Sequence, residues 1–150
     1  MGHVMLQSAA VEAVDIDSSA VRLTDTILGY IDHDLSETLK DIASEIGVNH
    51  IAYLRFLPDK SSDTSLLTAI VTYCREWQVR YFIKQYVKVD PVVAHGRNAV
   101  LPFDWEMFRD SGSEALAFLA DAATYGVGRN GLSIPVRNRR GIFSLVSFTQ

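Results

Sequence analysis

From Leu23 onward, apolar residues recur at Ile27, Ile31, Leu35, Leu39, Ile42 and Ile46, in steps of three and four that trace one face of a helix or of two consecutive helices. Ser18 and Ser19 supply N-terminal caps for this run, and Gly47 is its natural stop. His50 to Leu57 is short and apolar and ends at Pro58, which predicts a strand. The polar stretch 58–63 predicts a loop, and Leu66 to Tyr73 a second strand, antiparallel to the first. Helical periodicity returns over Glu76 to Lys88, with Trp77 and Tyr81 on one face. Pro91 disfavours helix at Asp90, placing that carboxylate on an extended or turning backbone. Val100 to Trp105 reads as irregular and Ser113 to Tyr125 as a helix broken by Gly126, Gly128 and Gly131. Leu132 to Val136 and Ile142 to Thr149 then form two strands around an Asn138-Arg139-Arg140-Gly141 turn.

The order helices, hairpin, helices, hairpin predicts an α+β fold, with helices on the faces of a mostly antiparallel sheet. A ligand cavity in such a fold lies between one sheet face and the helices above it, with the aromatic helix as the lid. At 150 residues the chain fits one domain, with 1–17 as an N-terminal extension and 18–150 as the folded unit. Met1 to Val4 reads as a tag remnant, with Met5 as a later natural start.

Composition excludes several classes. A net charge of −4 and a pI near 5.5 do not make a nucleic-acid-binding surface. Arg137, Arg139 and Arg140 cluster in the second hairpin, where a solvated turn accounts for them. Cys74 is the single cysteine, leaving no disulfide framework; it reads as a small buried apolar residue and fits a reducing, cytoplasmic setting. No apolar run approaches the ~20 residues of a membrane span. His3, His33, His50 and His95 lack metal-ligand spacing, and no Gly-x-Ser-x-Gly nucleophile elbow is present, so neither a metal site nor an enzyme is expected.

The chemistry concentrates between Tyr73 and Trp105. Tyr73, Trp77 and Tyr81, then Asp90-Pro91-Val92-Val93, then Trp105, supply aromatic faces, an indole donor and a carboxylate acceptor among apolar neighbours. Taken singly, each has a plain alternative: Trp77 and Tyr81 as core packing, Trp105 as a loop anchor, Asp90 as a turn cap. Together they suit a small, uncharged, amide-containing ligand, because buried Tyr, Trp and Asp all require hydrogen-bond partners.

These residues, followed by Gly131-Leu132-Ser133-Ile134-Pro135-Val136, resemble the autoinducer-binding domain of LuxR-type quorum-sensing regulators. The resemblance covers about residues 20–150. It implies an α-β-α sandwich around a five-stranded antiparallel sheet, enclosing an N-acyl-homoserine lactone and needing no cofactor. By this resemblance Trp77 reaches the lactone carbonyl, Asp90 takes the amide N–H, and Tyr73 donates to the amide carbonyl with help from Ser147. Tyr81 and Trp105 pack on the acyl chain and lactone ring. Val92, Phe118 and Ala122 are further lining positions, and Pro91 and Gly131 are structural hallmarks. The resemblance also implies a homodimer, or a heterodimer with full-length regulators. Full-length members carry a C-terminal helix-turn-helix domain, which is not expected within these 150 residues, so direct DNA contact is not expected from them. Two other roles fit the same residues: a ligand-independent dimerisation module, or a naturally truncated receptor that antagonises full-length regulators.

Overall fold

A computed structural model describes residues 33–58 and 66–150. The expected caps at Ser18 and Ser19, the run from Leu23 to Ile31 and most of the loop after Pro58 lie outside the described residues. Helix α1 (His33–Ile46) ends where Gly47 takes a φ of +77°, a conformation glycine adopts without a Cβ penalty. Its buried positions differ from the expected stripe. Ser36 and Ala43 are buried, whereas Leu35, Ile42 and Ile46 are exposed. Small side chains let the helix lie close on β1 and β2, and the larger ones one step around the helix remain outside.

Strands β1 (His50–Phe56) and β2 (Leu66–Val71) form the predicted antiparallel hairpin, with Leu54 opposite Ala69 and Ala52 opposite Val71. Strands β4 (Gly131–Arg137) and β5 (Phe143–Thr149) form the second. β5 then pairs with β1, and a two-residue β3 (Phe103–Asp104) adds to β4, giving the order β2-β1-β5-β4-β3. Every pairing is antiparallel. Because side chains alternate across a strand, Ala52, Leu54 and Phe56 share one face with Leu145 and Ser147. Most of the buried core gathers on that face, including Phe56, Trp77, Val93, Phe118 and Leu145. Ala43 of α1 and Ile51 of β1 are buried apart from it, where α1 lies on β1 and β2, so helices cover both faces.

The long aromatic helix is shorter than its periodicity suggests. Helix α2 (Arg75–Ile83) stops before Gln85, whose φ of +52° is the single left-handed non-glycine backbone among the described residues. A 3-10 turn (Tyr86–Lys88) follows, and then α3 (Pro91–Gly96). The irregular segment before Trp105 contains β3, and Trp105–Phe108 is a second 3-10 turn. Helix α4 (Ser113–Thr124) matches its expected span closely. It is tied to α2 and the first 3-10 turn by Asp121, which accepts from Arg80 Nε and from the Tyr86 hydroxyl, each at 2.5 Å. The Arg80 guanidinium holds the Asp121 carboxyl below its ordinary range.

Two smaller expectations change. Cys74 is exposed, with Sγ near the Tyr125 carbonyl, because it precedes α2 at the surface instead of ending a strand. Arg137 does more than solvate a turn: its guanidinium donates to the Ala99 carbonyl at 2.8 Å, just past the end of α3.

Candidate ligand-binding site

A cavity of about 620 Å³ lies between the sheet and helices α2 to α4. Tyr73, Trp77, Tyr81, Asp90, Val92, Trp105, Phe118, Ala122 and Ser147 all line it. Residues from the β2–α2 junction to the last strand thus meet in one space.

Trp77 is the hub of its aromatic wall. It is 2% exposed, and its ring centroid lies 5.5–5.9 Å from those of Tyr81, Tyr86, Phe118 and Tyr125. These tilted and edge-on arrangements suit ring quadrupoles. Tyr86 and Tyr125 carry no signal in the sequence beyond being aromatic, and the folding back of α4 onto α2 recruits them.

Asp90 is both a cap and an acceptor. Its backbone is extended (φ −63°, ψ 111°), and Pro91 occupies the first helical position, where its missing N–H costs nothing. Oδ1 accepts from the Val92 and Val93 N–H groups at 2.8 and 3.3 Å. Oδ2 accepts from the Tyr81 hydroxyl at 2.9 Å. Burial raises the Asp90 pKa to about 6, against the opposing pull of these three hydrogen bonds. The same buried setting, next to this carboxylate, pushes the Tyr73 and Tyr81 phenols upward, so both keep their protons.

Trp105 is held by two features. Its indole N–H donates to Ser133 Oγ at 2.8 Å. Its ring lies flat against Gly131, where an added Cβ would come within 2.5 Å of ring carbon Cδ2. Gly131 is therefore a contact requirement, since any side chain there displaces the indole. Ser133, fully buried, lies 2.7 Å from Ser147 Oγ. Ser133 accepts from Trp105, which is donor only, and among the described residues the other polar group bonded to its hydroxyl is Ser147. With Ser133 as the donor in this contact, its buried proton is paired and the Ser147 proton is free to turn into the cavity. Ser133 went unnoticed in the sequence because one serine among strand residues carries no distinguishing pattern.

Among the described residues, neither the Trp77 indole N–H nor the Tyr73 hydroxyl makes a hydrogen bond. The Tyr73 hydroxyl approaches that of Thr149 without closing one, and Thr149 Oγ1 is itself buried without a partner. One end of the cavity thus presents free donors from Trp77, Tyr73 and Ser147 beside the Asp90 acceptor.

A family model described as the autoinducer binding domain matches residues 32–150. The chain belongs to the autoinducer-binding domain family. It is similar to the transcriptional activator protein RaiR of Rhizobium etli, with 38% identity over 80 residues, covering 53% of this chain and 33% of RaiR. It is similar also to the transcriptional activator protein TraR of Rhizobium radiobacter, with 32% identity over 114 residues, 74% of this chain and 46% of TraR. The chain therefore spans a third to about half of the length of these curated relatives. Among solved structures, it shares the fold of CepR2 from Burkholderia cenocepacia, an N-acylhomoserine lactone dependent LuxR family transcription factor. The TM-score is 0.65 at 22% identity, covering 90% of this chain and 78% of that one. The expected antiparallel five-stranded fold and the expected family both hold. These named relatives are transcriptional regulators. No described helix is long and apolar enough to cross a membrane.

Proposed function

We propose that this autoinducer-binding domain holds one N-acyl-homoserine lactone in the cavity, with the head group at the polar end. The observation that carries this reading is the set of unpaired donors on Trp77, Tyr73 and Ser147 facing the same space as the Asp90 carboxylate. The lactone has two carbonyls to accept and one amide N–H to donate. Trp77 donates to the lactone carbonyl, Tyr73 and Ser147 donate to the amide carbonyl, and Asp90 takes the N–H. Tyr81 and Trp105, whose own donors are already used by Asp90 and Ser133, pack against the ligand instead.

Magnitudes divide the work. Each buried methylene contributes about 0.8 kcal/mol. A hydrogen bond contributes only about 0.5–1.5 kcal/mol net, and somewhat more to a charged acceptor. Burial therefore supplies most of the affinity, and the polar groups reject wrong head groups. Asp90 is the strictest filter, because a head group without a donor leaves a desolvated carboxylate short of a partner.

The same reading makes the domain part of a cytoplasmic transcriptional regulator. Bound lactone completes its core and favours its dimer, while DNA is contacted through a helix-turn-helix domain elsewhere. Binding to the folded state alone stabilises it by about 2.7 kcal/mol at one hundred times Kd. No catalytic step or cofactor is assigned. Unpaired donors beside an apolar cavity support a ligand-dependent role over a ligand-independent dimerisation module or an antagonist of full-length regulators.

Thermal shift with a series of acyl-homoserine lactones tests the reading, run beside Trp77→Phe and Asp90→Asn. A rise in Tm with lactone, reduced in both variants, is the expected result. An unchanged Tm across the series in well-folded protein would remove the lactone from the account.

A further inference from the structure

The two ends of the cavity are built differently. At the head end Trp77, Asp90, Trp105 and Phe118 are all buried, and Asp90, Tyr81 and Trp105 have fixed hydrogen-bond partners. Away from it the lining passes along Leu54, Leu66, Ala69 and Val87 and reaches the surface at Phe82 and Ile83, which are 36% and 50% exposed. This stretch is apolar until Gln85 and Lys88, both exposed at the rim.

We infer that the receptor takes long-chain lactones, with acyl groups of ten to twelve carbons or more, whose tails run along Leu54 and Ala69 and leave past Phe82 and Ile83. The inference rests on the lactone reading above and adds the class of acyl chain. Volume supports it. At about 30 Å³ per water-sized group, 620 Å³ holds on the order of twenty non-hydrogen atoms. The lactone and amide head takes about nine of these, which leaves room for a chain well beyond hexanoyl. The open end matters more than the volume. A closed channel penalises a chain one methylene too long by forcing overpacking. A channel that reaches the surface imposes no such limit, and a longer tail covers Phe82 and Ile83, apolar groups otherwise left in water. At the rim Lys88 and Gln85 are solvated, so a polar or charged tail end gains little there and length is the selected property.

Binding of N-acyl-homoserine lactones from butanoyl to tetradecanoyl, measured on the intact chain by competition or calorimetry, tests this. Affinity is expected to rise about fourfold per methylene through at least decanoyl, the equivalent of about 0.8 kcal/mol per buried CH₂. Ala69→Phe places a ring in the proposed channel. It is expected to leave hexanoyl binding within about threefold and to weaken dodecanoyl binding by about tenfold or more. An optimum between butanoyl and octanoyl with loss at decanoyl would overturn the long-chain inference and leave the receptor reading standing. So would Ala69→Phe that binds dodecanoyl as well as the parent. Failure of every chain length in folded protein would overturn both.

Discussion

The head end and the tail end of one cavity solve opposite problems. Around Trp77, Asp90 and Trp105, burial is nearly complete and the polar atoms are either partnered, as at Asp90 and Trp105, or left as donors beside the cavity, so the site tolerates few alternatives. Around Leu54, Ala69, Phe82 and Ile83 the lining is apolar and partly open, so contact is non-directional and scales with area. Recognition of chemical identity and accumulation of affinity are thereby separated in space. Under the proposed lactone reading, a domain built this way could change its preferred chain length without disturbing its head-group chemistry.

The sharpest way to break the comparison is to truncate one residue from each end. Trp77→Ala removes the hub of the aromatic wall and should cost about 3–5 kcal/mol of stability, whereas Ile83→Ala at the half-exposed mouth should stay within about 0.5 kcal/mol. Urea midpoints of the two ligand-free variants measure the difference, and similar losses would mean the mouth is packed as tightly as the head.

Asp90 sharpens it next. Its carboxyl is pushed up to about 6 in the fold from an ordinary value of 3.8. The folded state therefore binds more protons than the unfolded chain between these values, and stability falls as pH rises through that window. A two-unit shift corresponds to about 3 kcal/mol. Ligand-free protein should thus be more stable at pH 4.5 than at pH 7 by an excess that Asp90→Asn abolishes. An amide N–H donated to the carboxylate lowers its pKa again, so lactone binding near pH 5 should release protons, which calorimetry in buffers of different ionisation enthalpy detects. A pH response identical in parent and Asp90→Asn would assign the effect to other groups.

The smallest expected effect tests the hydroxyl relay. Ser133→Ala leaves the buried Trp105 N–H without an acceptor, a cost of about 1–3 kcal/mol, and frees Ser147 to turn away from the cavity. Lactone affinity should drop severalfold for all chain lengths alike, whereas Ser133→Thr, which restores a hydroxyl, should recover most of it. A loss that depends on chain length would place Ser133 in the tail's environment instead.

Much of the site was legible before any fold was known. Trp77, Tyr81 and Asp90 stand out because indole, phenol and carboxylate are costly to bury without partners, and such costs are visible in residue type alone. The strands at 50–56 and 143–149 and the helix at 113–124 follow from local periodicity. What periodicity missed has a physical pattern. The break at Gln85 carries neither glycine nor proline, so helical periodicity runs through it unmarked. The two-residue β3 is too short to show alternation. In α1 the apolar periodicity runs through Leu35, Ile42 and Ile46, yet the sheet accepts Ser36 and Ala43 because close approach favours small side chains over large ones.

Taken alone, the amino-acid order determined which chemical groups are present, which short segments are helix or strand, and the family to which they belong, since these depend on residue type and near neighbours. Tertiary structure decided the rest. Placing β5 between β1 and β4 set Ser147 beside Ser133 and Ala52, and laying Trp105 on Gly131 fixed the indole's direction. It also opened the tail end at Phe82 and Ile83, because a cavity's length and mouth are properties of the space between elements distant in the chain, and no local pattern encodes them.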